Sequence, residues 1–127
     1  MIKNFLIINC IGKNDKIGLK VDSEFFAHNF NNKNKNSDQL VINILNLVKK
    51  HKVNIDDNFS ILVNIGPGSF SSLRTSLSVA KGIKISKKIK LYGFKNSNLG
   101  EFNLANIELL IKKDLVQKKL IKPLYLS

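Results

Sequence analysis

The sequence has few of the residues on which disulfide, metal or membrane-spanning structures depend. It contains one cysteine and two histidines among 127 residues. Because Cys10 is alone, no disulfide framework can form, and we predict a reducing, cytoplasmic location. One cysteine and two histidines without ligand spacing predict no metal site. No apolar run approaches the roughly 20 residues of a membrane-spanning helix.

Carboxylates are equally scarce, with nine in the whole chain. Five of them fall at predicted turns, loops or a helix start, where they have local structural roles: Asp15, Asp22, Asp38, Asp56 and Asp57. A two-carboxylate hydrolytic site or a magnesium site therefore has no evident location. We expect no catalytic residue and no cofactor in this chain.

Basic residues are abundant, and the formal net charge is +12. The lysines are scattered, with short clusters at Lys49-Lys50, Lys87-Lys88 and Lys118-Lys119, and no arginine-rich face appears. The high content of Lys, Asn and Ile is the mix expected of AT-rich coding. The charge therefore favours a solvated basic surface over a nucleic-acid footprint, and a small RNA-binding module remains an alternative.

The first part of the chain predicts an antiparallel meander. Phe5–Ile8 is typical of a buried strand, and Lys16–Asp22 alternates polar and apolar residues as a half-exposed strand does. Glu24–His28 is a candidate third strand. The polar segment Asn29–Asn36 then predicts a loop.

A strongly apolar helix follows, with Ser37 as its cap and Asp38 in its first turn. Its apolar residues cover more than half of the helix circumference: Leu40, Val41, Ile42, Ile44, Leu45, Leu47 and Val48. A helix that packs on one sheet needs a narrower apolar stripe than this one. Either other parts of this chain cover the remaining surface or a partner protein does, and the pattern alone leaves both open.

The rest of the chain predicts alternating strands and helices, hence a mixed α/β domain. The predicted elements are a strand at Phe59–Ile65, a helix at Ser71–Ile85, a strand at Lys90–Phe94, a weaker helix at Asn103–Gln117 and an extended segment at Leu120–Leu126. The core face of the Ser71–Ile85 helix is predicted at Leu73, Leu77, Ala80 and Ile83. Gly82 lowers helix stability by about 1 kcal/mol relative to Ala, so we expect a packing reason for it.

A glycine-rich turn joins the strand to the second helix through Gly66, Pro67, Gly68 and Ser69. The glycines allow backbone approaches that a Cβ would block, and Ser69 is predicted to cap the helix. A Walker loop needs a lysine after the second glycine, a dinucleotide fingerprint needs a third glycine, and a nucleophile elbow needs G-x-S-x-G. All three patterns are absent. A peptidase or phosphotransferase using this turn remains an alternative.

The segment Asn64–Arg74, continued by Ser78-Val79-Ala80-Lys81-Gly82-Ile83, resembles the signature of the TsaB (YeaZ) family. That signature is roughly G-P-G-S-F-T-G-L-R, followed by a small-residue helix with A-K-G. The ending Lys122–Ser127 is similar to the family's usual P-x-Y-L-R finish. The resemblance covers approximately residues 1–97 and the last few residues.

The resemblance implies the fold of the actin-like ATPase and sugar-kinase superfamily, which is built from two related lobes. We expect a shortened member with one ribonuclease-H-like α/β lobe, a mixed sheet with an N-terminal antiparallel meander, and packed helices. Its single domain would span residues 1–127, with a first-lobe core at 1–97. A short helix and terminal segment at 98–127 would replace the second lobe.

The resemblance also implies a function. Family members are non-catalytic partners of the TsaD threonylcarbamoyltransferase, which installs threonylcarbamoyladenosine next to the anticodon of certain tRNAs. It implies a heterodimer with TsaD, joined by the ATPase TsaE, and tRNA contact only through the complex. We also expect a homodimer when the chain is alone, because an uncovered apolar helix should not stay in water. Asn9-Cys10-Ile11 stands where the family usually has Asp-Thr-Ser, which argues against ATP hydrolysis. Ser71-Ser72 replaces the usual Thr-Gly and keeps small residues there.

We expect the partner interface to combine the first helix, the glycine-rich turn and the small-residue helix. The residues assigned to the partner interface and the motif are Gln39, Ile42, Leu45, Gly66, Pro67, Gly68, Ser69, Phe70, Ser72, Leu73, Arg74, Ser76 and Ala80. Arg74 is the only arginine in a lysine-rich chain. We therefore expect its guanidinium to donate to backbone carbonyls or to a carboxylate, in this domain or on TsaD.

Overall fold

The computed structural model describes residues 2–30, 37–118 and 121–125. These residues form five strands and three α-helices. The strands are β1 (Asn4–Asn9), β2 (Lys16–Val21), β3 (Glu24–Asn29), β4 (Phe59–Asn64) and β5 (Lys90–Phe94). The helices are α1 (Ser37–Lys50), α2 (Phe70–Lys87) and α3 (Leu104–Lys112), and a 3-10 turn occupies Asn96–Asn98.

The strands form one mixed sheet in the order β3-β2-β1-β4-β5. β1, β2 and β3 are antiparallel neighbours, as the predicted meander requires, and β1, β4 and β5 run parallel. The parallel strands therefore end at the same edge of the sheet. That edge carries Asn9, Asn64 and Phe94 and the loops that follow them.

Both faces of the sheet are covered, which explains the continuous apolar runs in β1 and β4. On one face, Leu6, Ile8, Ile61 and Val63 pack with the inner side of α1 and with α2. On the other face, a second cluster contains Phe5, Ile7, Leu62, Phe94 and residues of α3 such as Ile107 and Leu110. Strand side chains alternate between these two cores because successive residues point to opposite faces.

Helix α1 begins at Ser37 with Asp38 in its first turn and ends with Lys49 and Lys50 in its last. These charges complement the helix dipole as predicted. Asn29 is the last residue of β3 rather than the start of a loop. Residues 31–36 of the predicted loop, the predicted Ser37 side-chain cap, and Leu120 and Leu126 lie outside the described residues.

Two further predictions from the sequence differ from the structure. The helix predicted at Asn103–Gln117 ends at Lys112, because Gln117 instead exchanges two backbone hydrogen bonds of 2.8 Å with Gly93 at the outer side of β5. The structure gives no packing reason for Gly82, since a Cβ built on it meets nothing within 4 Å among the described residues. The core face of α2 is confirmed, with Leu73, Leu77 and Ala80 buried and Ile83 partly buried.

Candidate functional site

The glycine-rich turn follows β4 at the shared edge of the parallel strands. Gly66 has a φ of +100°, and a Cβ there would lie 2.6 Å from the carbonyl oxygen of Leu124. A Cβ on Gly68 would lie 2.7 Å from the carbonyl oxygen of Ile11. Both predicted close approaches are confirmed: the C-terminal segment passes against Gly66, and the loop after β1 passes against Gly68.

A network of hydrogen-bonded asparagine side chains contacts this turn. The amide nitrogen of the buried Asn64 donates to the side-chain oxygens of Asn9 at 2.6 Å and Asn96 at 3.0 Å. The side-chain oxygen of Asn64 accepts from the backbone N–H of Gly66 at 2.9 Å, and the N–H of Asn96 donates to the carbonyl of Gly66 at 2.8 Å. The network uses neutral amides, so Asn9 has a structural role at this edge.

Ser69 caps α2, as the sequence predicts. Its backbone is extended, with φ −69° and ψ 144°, and its Oγ accepts from the N–H of Ser72 at 3.3 Å. Each of the two histidines contacts a side chain elsewhere in the chain. His28 Nε2 lies 2.9 Å from Asn43 Oδ1, and the His51 ring stacks on Phe26 with centroids 3.6 Å apart.

Six residues of the partner-interface and motif assignment are buried inside the chain: Gly66, Gly68, Ser72, Leu73, Ser76 and Ala80. The four on α2 therefore do not form an exposed pairing surface. Ser72, Leu73, Ser76 and Ala80 are at most 4% exposed. Ser76 Oγ donates to the carbonyl of Cys10 at 3.1 Å. The small residues let α2 approach its own sheet and the loop after β1 closely, so their contacts lie within this chain.

Helix α1 divides its apolar residues between two environments. Leu40, Ile44 and Leu47 are buried against the sheet. Val41, Ile42 and Leu45 are 38%, 48% and 60% exposed; we call these three residues the aliphatic face. Gln39, at the start of the same helix, is exposed as well. Nothing in the described part of the chain covers the aliphatic face.

A groove borders the aliphatic face between α1 and α2. It has a volume of about 420 Å³, and its lining is mostly apolar: Val41, Ile44, Leu45, Val48, Val53, Ile55, Val79 and Ile83, with Asn54 and Lys87. The outer surface of α1 therefore continues into a concave apolar strip. Surfaces of this kind are typical of protein–protein contact.

A second exposed group lies at the start of α2. The rings of Phe70 and Tyr125 are 4.7 Å apart between centroids with an interplanar angle of 37°, and the guanidinium carbon of Arg74 lies 5.0 Å from the Phe70 centroid. Phe70 and Tyr125 are 55% and 41% exposed. We call Phe70, Arg74 and Tyr125 the aromatic–guanidinium cluster. The sequence pattern singled out Phe70 and Arg74 but not Tyr125, whose position depends on the path of the C-terminal segment.

The donation predicted for Arg74, to this domain or to TsaD, is not found within the described part of this chain. Among the residues that the structure describes, its guanidinium forms no hydrogen bond or ion pair and instead lies over the Phe70 ring. Arg74 is one turn after Phe70 on the helix, so the two side chains are neighbours. The cation–π contact replaces the predicted donation to carbonyls or a carboxylate in this domain.

Residues 2–30, 37–118 and 121–125 contain no group of three or more His, Cys, Asp or Glu side chains that could hold a metal ion. Over the same residues, no helix is long and apolar enough to cross a membrane.

Comparisons with known proteins agree with this fold. The family model described as TsaD, tRNA N6-adenosine threonylcarbamoyltransferase, matches residues 31–98, which is more than half of the chain. No curated protein matches significantly.

Two solved structures from Pseudomonas aeruginosa resemble the chain. One is YeaZ, with 15% identity and a TM-score of 0.64, and the other is an uncharacterized protein with similarity to peptidase YeaZ, with 15% identity and a TM-score of 0.63. Each match covers 74% of this chain and 44% of the other, so the chain spans less than half the length of these relatives. The predicted TsaB (YeaZ)-like lobe of the actin-like superfamily is confirmed as the fold.

Proposed function

The chain belongs to the TsaD family, and on that basis we propose that it acts in tRNA threonylcarbamoylation as a non-catalytic partner that activates a TsaD threonylcarbamoyltransferase. The observation that carries this proposal is the aliphatic face of α1 with its adjoining groove. TsaE is the proposed third component. The same face would pair two copies of the chain when TsaD is absent.

Removing the aliphatic face from water would favour association with a partner. Complete burial of a Val, Leu or Ile side chain contributes about 1.5–3 kcal/mol. The side chains of Val41, Ile42 and Leu45 are each between about one third and two thirds exposed, so each retains part of that free energy for association. The polar residues Asn43 and Asn46 occur on the same helix and would belong to the rim of such a contact.

The test uses the purified chain and TsaD from the same organism. We expect the two proteins to co-purify, and Ile42→Lys or Leu45→Lys to abolish co-purification because each buries a charge in the contact. The matched control is Leu109→Lys, an exposed leucine on α3, which packs on the opposite face of the sheet. Formation of threonylcarbamoyladenosine is measured with TsaD alone, with the chain alone and with both.

Activity of TsaD should rise only when the wild-type chain or the Leu109→Lys variant is present. The proposal is wrong if the chain fails to bind TsaD, or if the Ile42→Lys and Leu45→Lys variants activate TsaD as well as wild type does. Sedimentation of the isolated chain should show a dimer that the same two variants convert to a monomer.

The family description names a transferase, so an enzymatic role is the second candidate. In that case the chain alone would modify tRNA, and Ser69→Ala or Asn9→Ala would stop the reaction without unfolding the protein. The contacts of these residues favour structural roles, since Ser69 Oγ caps α2 and the Asn9 side chain accepts a hydrogen bond from Asn64.

A further inference from the structure

The aromatic–guanidinium cluster has a different chemistry from the aliphatic face. It presents two exposed aromatic rings and a planar cation within one helical turn of the α2 N-terminus. Aromatic rings in contact with arginine are the elements on which unpaired nucleobases stack in proteins that bind single-stranded nucleic acid.

The cluster is held by backbone contacts as well as by side chains. The N–H of Gly68 donates to the carbonyl of Leu124 at 3.2 Å, and the N–H of Leu124 donates to the carbonyl of Ile65 at 2.7 Å. These bonds fix the segment that carries Tyr125 beside the first turn of α2, which carries Phe70. The rings are therefore preorganised, which lowers the entropic cost of binding a flat ligand.

The local charge favours a negatively charged ligand. The first turn of α2 contains no acidic residue, and the helix N-terminus itself has positive partial charge. Three exposed lysines lie in the segments that border the turn: Lys13, Lys95 and Lys122. Arg74 forms no ion pair within the described residues, so its guanidinium is available to a phosphate or to a base.

We infer that the aromatic–guanidinium cluster stacks an unpaired base of RNA and that flanking basic residues contact its phosphates. This inference rests on the proposed function, in which the RNA is the tRNA substrate of the complex, and adds a direct contact by this chain. It differs from the expectation that tRNA is reached only through other subunits.

The test measures the affinity of the full chain for a short fluorescein-labelled single-stranded RNA by fluorescence anisotropy. A second RNA of the same length carries abasic sites, which keep the phosphates and remove the bases. We expect wild type to bind the base-containing RNA about tenfold more tightly than the abasic RNA. The same sequence in a duplex should bind more weakly than the single strand.

The variants Phe70→Leu and Tyr125→Leu remove one aromatic ring each and keep an apolar side chain. Each should remove most of the preference for base-containing RNA and leave the affinity for abasic RNA unchanged. The matched control is Phe102→Leu. Phe102 forms a second aromatic pair with Phe25, and Lys16 Nζ lies 5.9 Å from the Phe102 centroid. This ring is only partly exposed and packs on the α3 side of the sheet. Circular dichroism shows whether each variant is folded.

The inference is overturned if wild type does not bind the single strand, binds abasic RNA equally well, or keeps its base preference in both ring variants. It is also overturned if the ring variants weaken TsaD binding but not RNA binding, because the cluster would then be a protein contact. The proposed function fails independently, through the α1 variants and TsaD activation.

Discussion

The aliphatic face and the aromatic–guanidinium cluster differ in how they are built. The aliphatic face comes from a single helix, because Val41, Ile42 and Leu45 all lie on α1, within five positions of one another. The aromatic–guanidinium cluster comes from two segments distant in the sequence, the start of α2 and the C-terminal segment. The first surface therefore needs only a folded helix, whereas the second also needs the turn and the C-terminal segment to be in place.

This difference gives a way to separate the two surfaces experimentally. Substitutions in the glycine-rich turn should disrupt the cluster while leaving the aliphatic face folded. The predictions below begin with the largest expected effect.

Gly66→Ala should destabilise the protein by about 3 kcal/mol, because alanine at positive φ is strained and its Cβ would lie 2.6 Å from the Leu124 carbonyl oxygen. Chemical denaturation measures the loss. The C-terminal segment should detach from the turn first, so the Phe70–Tyr125 contact should be lost in variants that remain folded. Binding of TsaD through α1 should persist.

Gly82→Ala is the matched control for that substitution. The position is helical, and a Cβ there contacts nothing within 4 Å in the part of the chain that the structure describes. It should stabilise the protein by about 1 kcal/mol. Equal effects of the two substitutions would contradict the assignment of Gly66 to the contact with the C-terminal segment.

Asn64→Ala should cost about 2 kcal/mol, because it leaves the Gly66 N–H and the Asn9 side chain without their buried partner. Thermal unfolding monitored by circular dichroism measures this change. Asn46→Ala, at an exposed position on α1, should change stability by less than about 0.5 kcal/mol. If Asn64→Ala unfolds at the wild-type temperature, the network does not support the turn.

The contrast between the two surfaces also shows what the sequence could predict. The wide apolar pattern of α1 predicted a surface beyond its sheet contact, because helical periodicity depends only on local geometry. The glycine motif likewise predicted the turn and the Ser69 cap. These features require no knowledge of how distant segments meet.

Other features depended on tertiary contacts and were missed. Asn64 and Asn96 looked like ordinary polar residues, and only the shared edge of β1, β4 and β5 brings them to Asn9. The small residues Ser76 and Ala80 were assigned to a partner because close helix packing has the same pattern whether the neighbour is another chain or the protein's own sheet. Tyr125 belongs to the ending that resembles the family's P-x-Y-L-R finish, but its contact with Phe70 is not predictable because the two residues are far apart in the sequence.

Ser69→Ala should cost about 1 kcal/mol through loss of the cap on α2. The matched control is Ser86→Ala at an exposed position near the other end of the same helix, which should be close to neutral. Urea denaturation of both variants measures the difference. Because Phe70 follows the cap directly, RNA binding should weaken slightly, and activation of TsaD should stay near the wild-type level.

Arg74→Lys has the smallest expected effect on stability, because a lysine can keep a cation near the Phe70 ring. The geometry places the guanidinium on this exposed ring, where a cation–π contact contributes about 0.5–1 kcal/mol. Denaturation should show a loss of no more than that, while base-dependent RNA binding should fall further because the planar cation itself is lost. Lys87→Arg, at the far end of α2, should change neither quantity. A large loss of stability in Arg74→Lys would mean that the guanidinium supports the fold. The cluster would then serve to hold the C-terminal segment against α2.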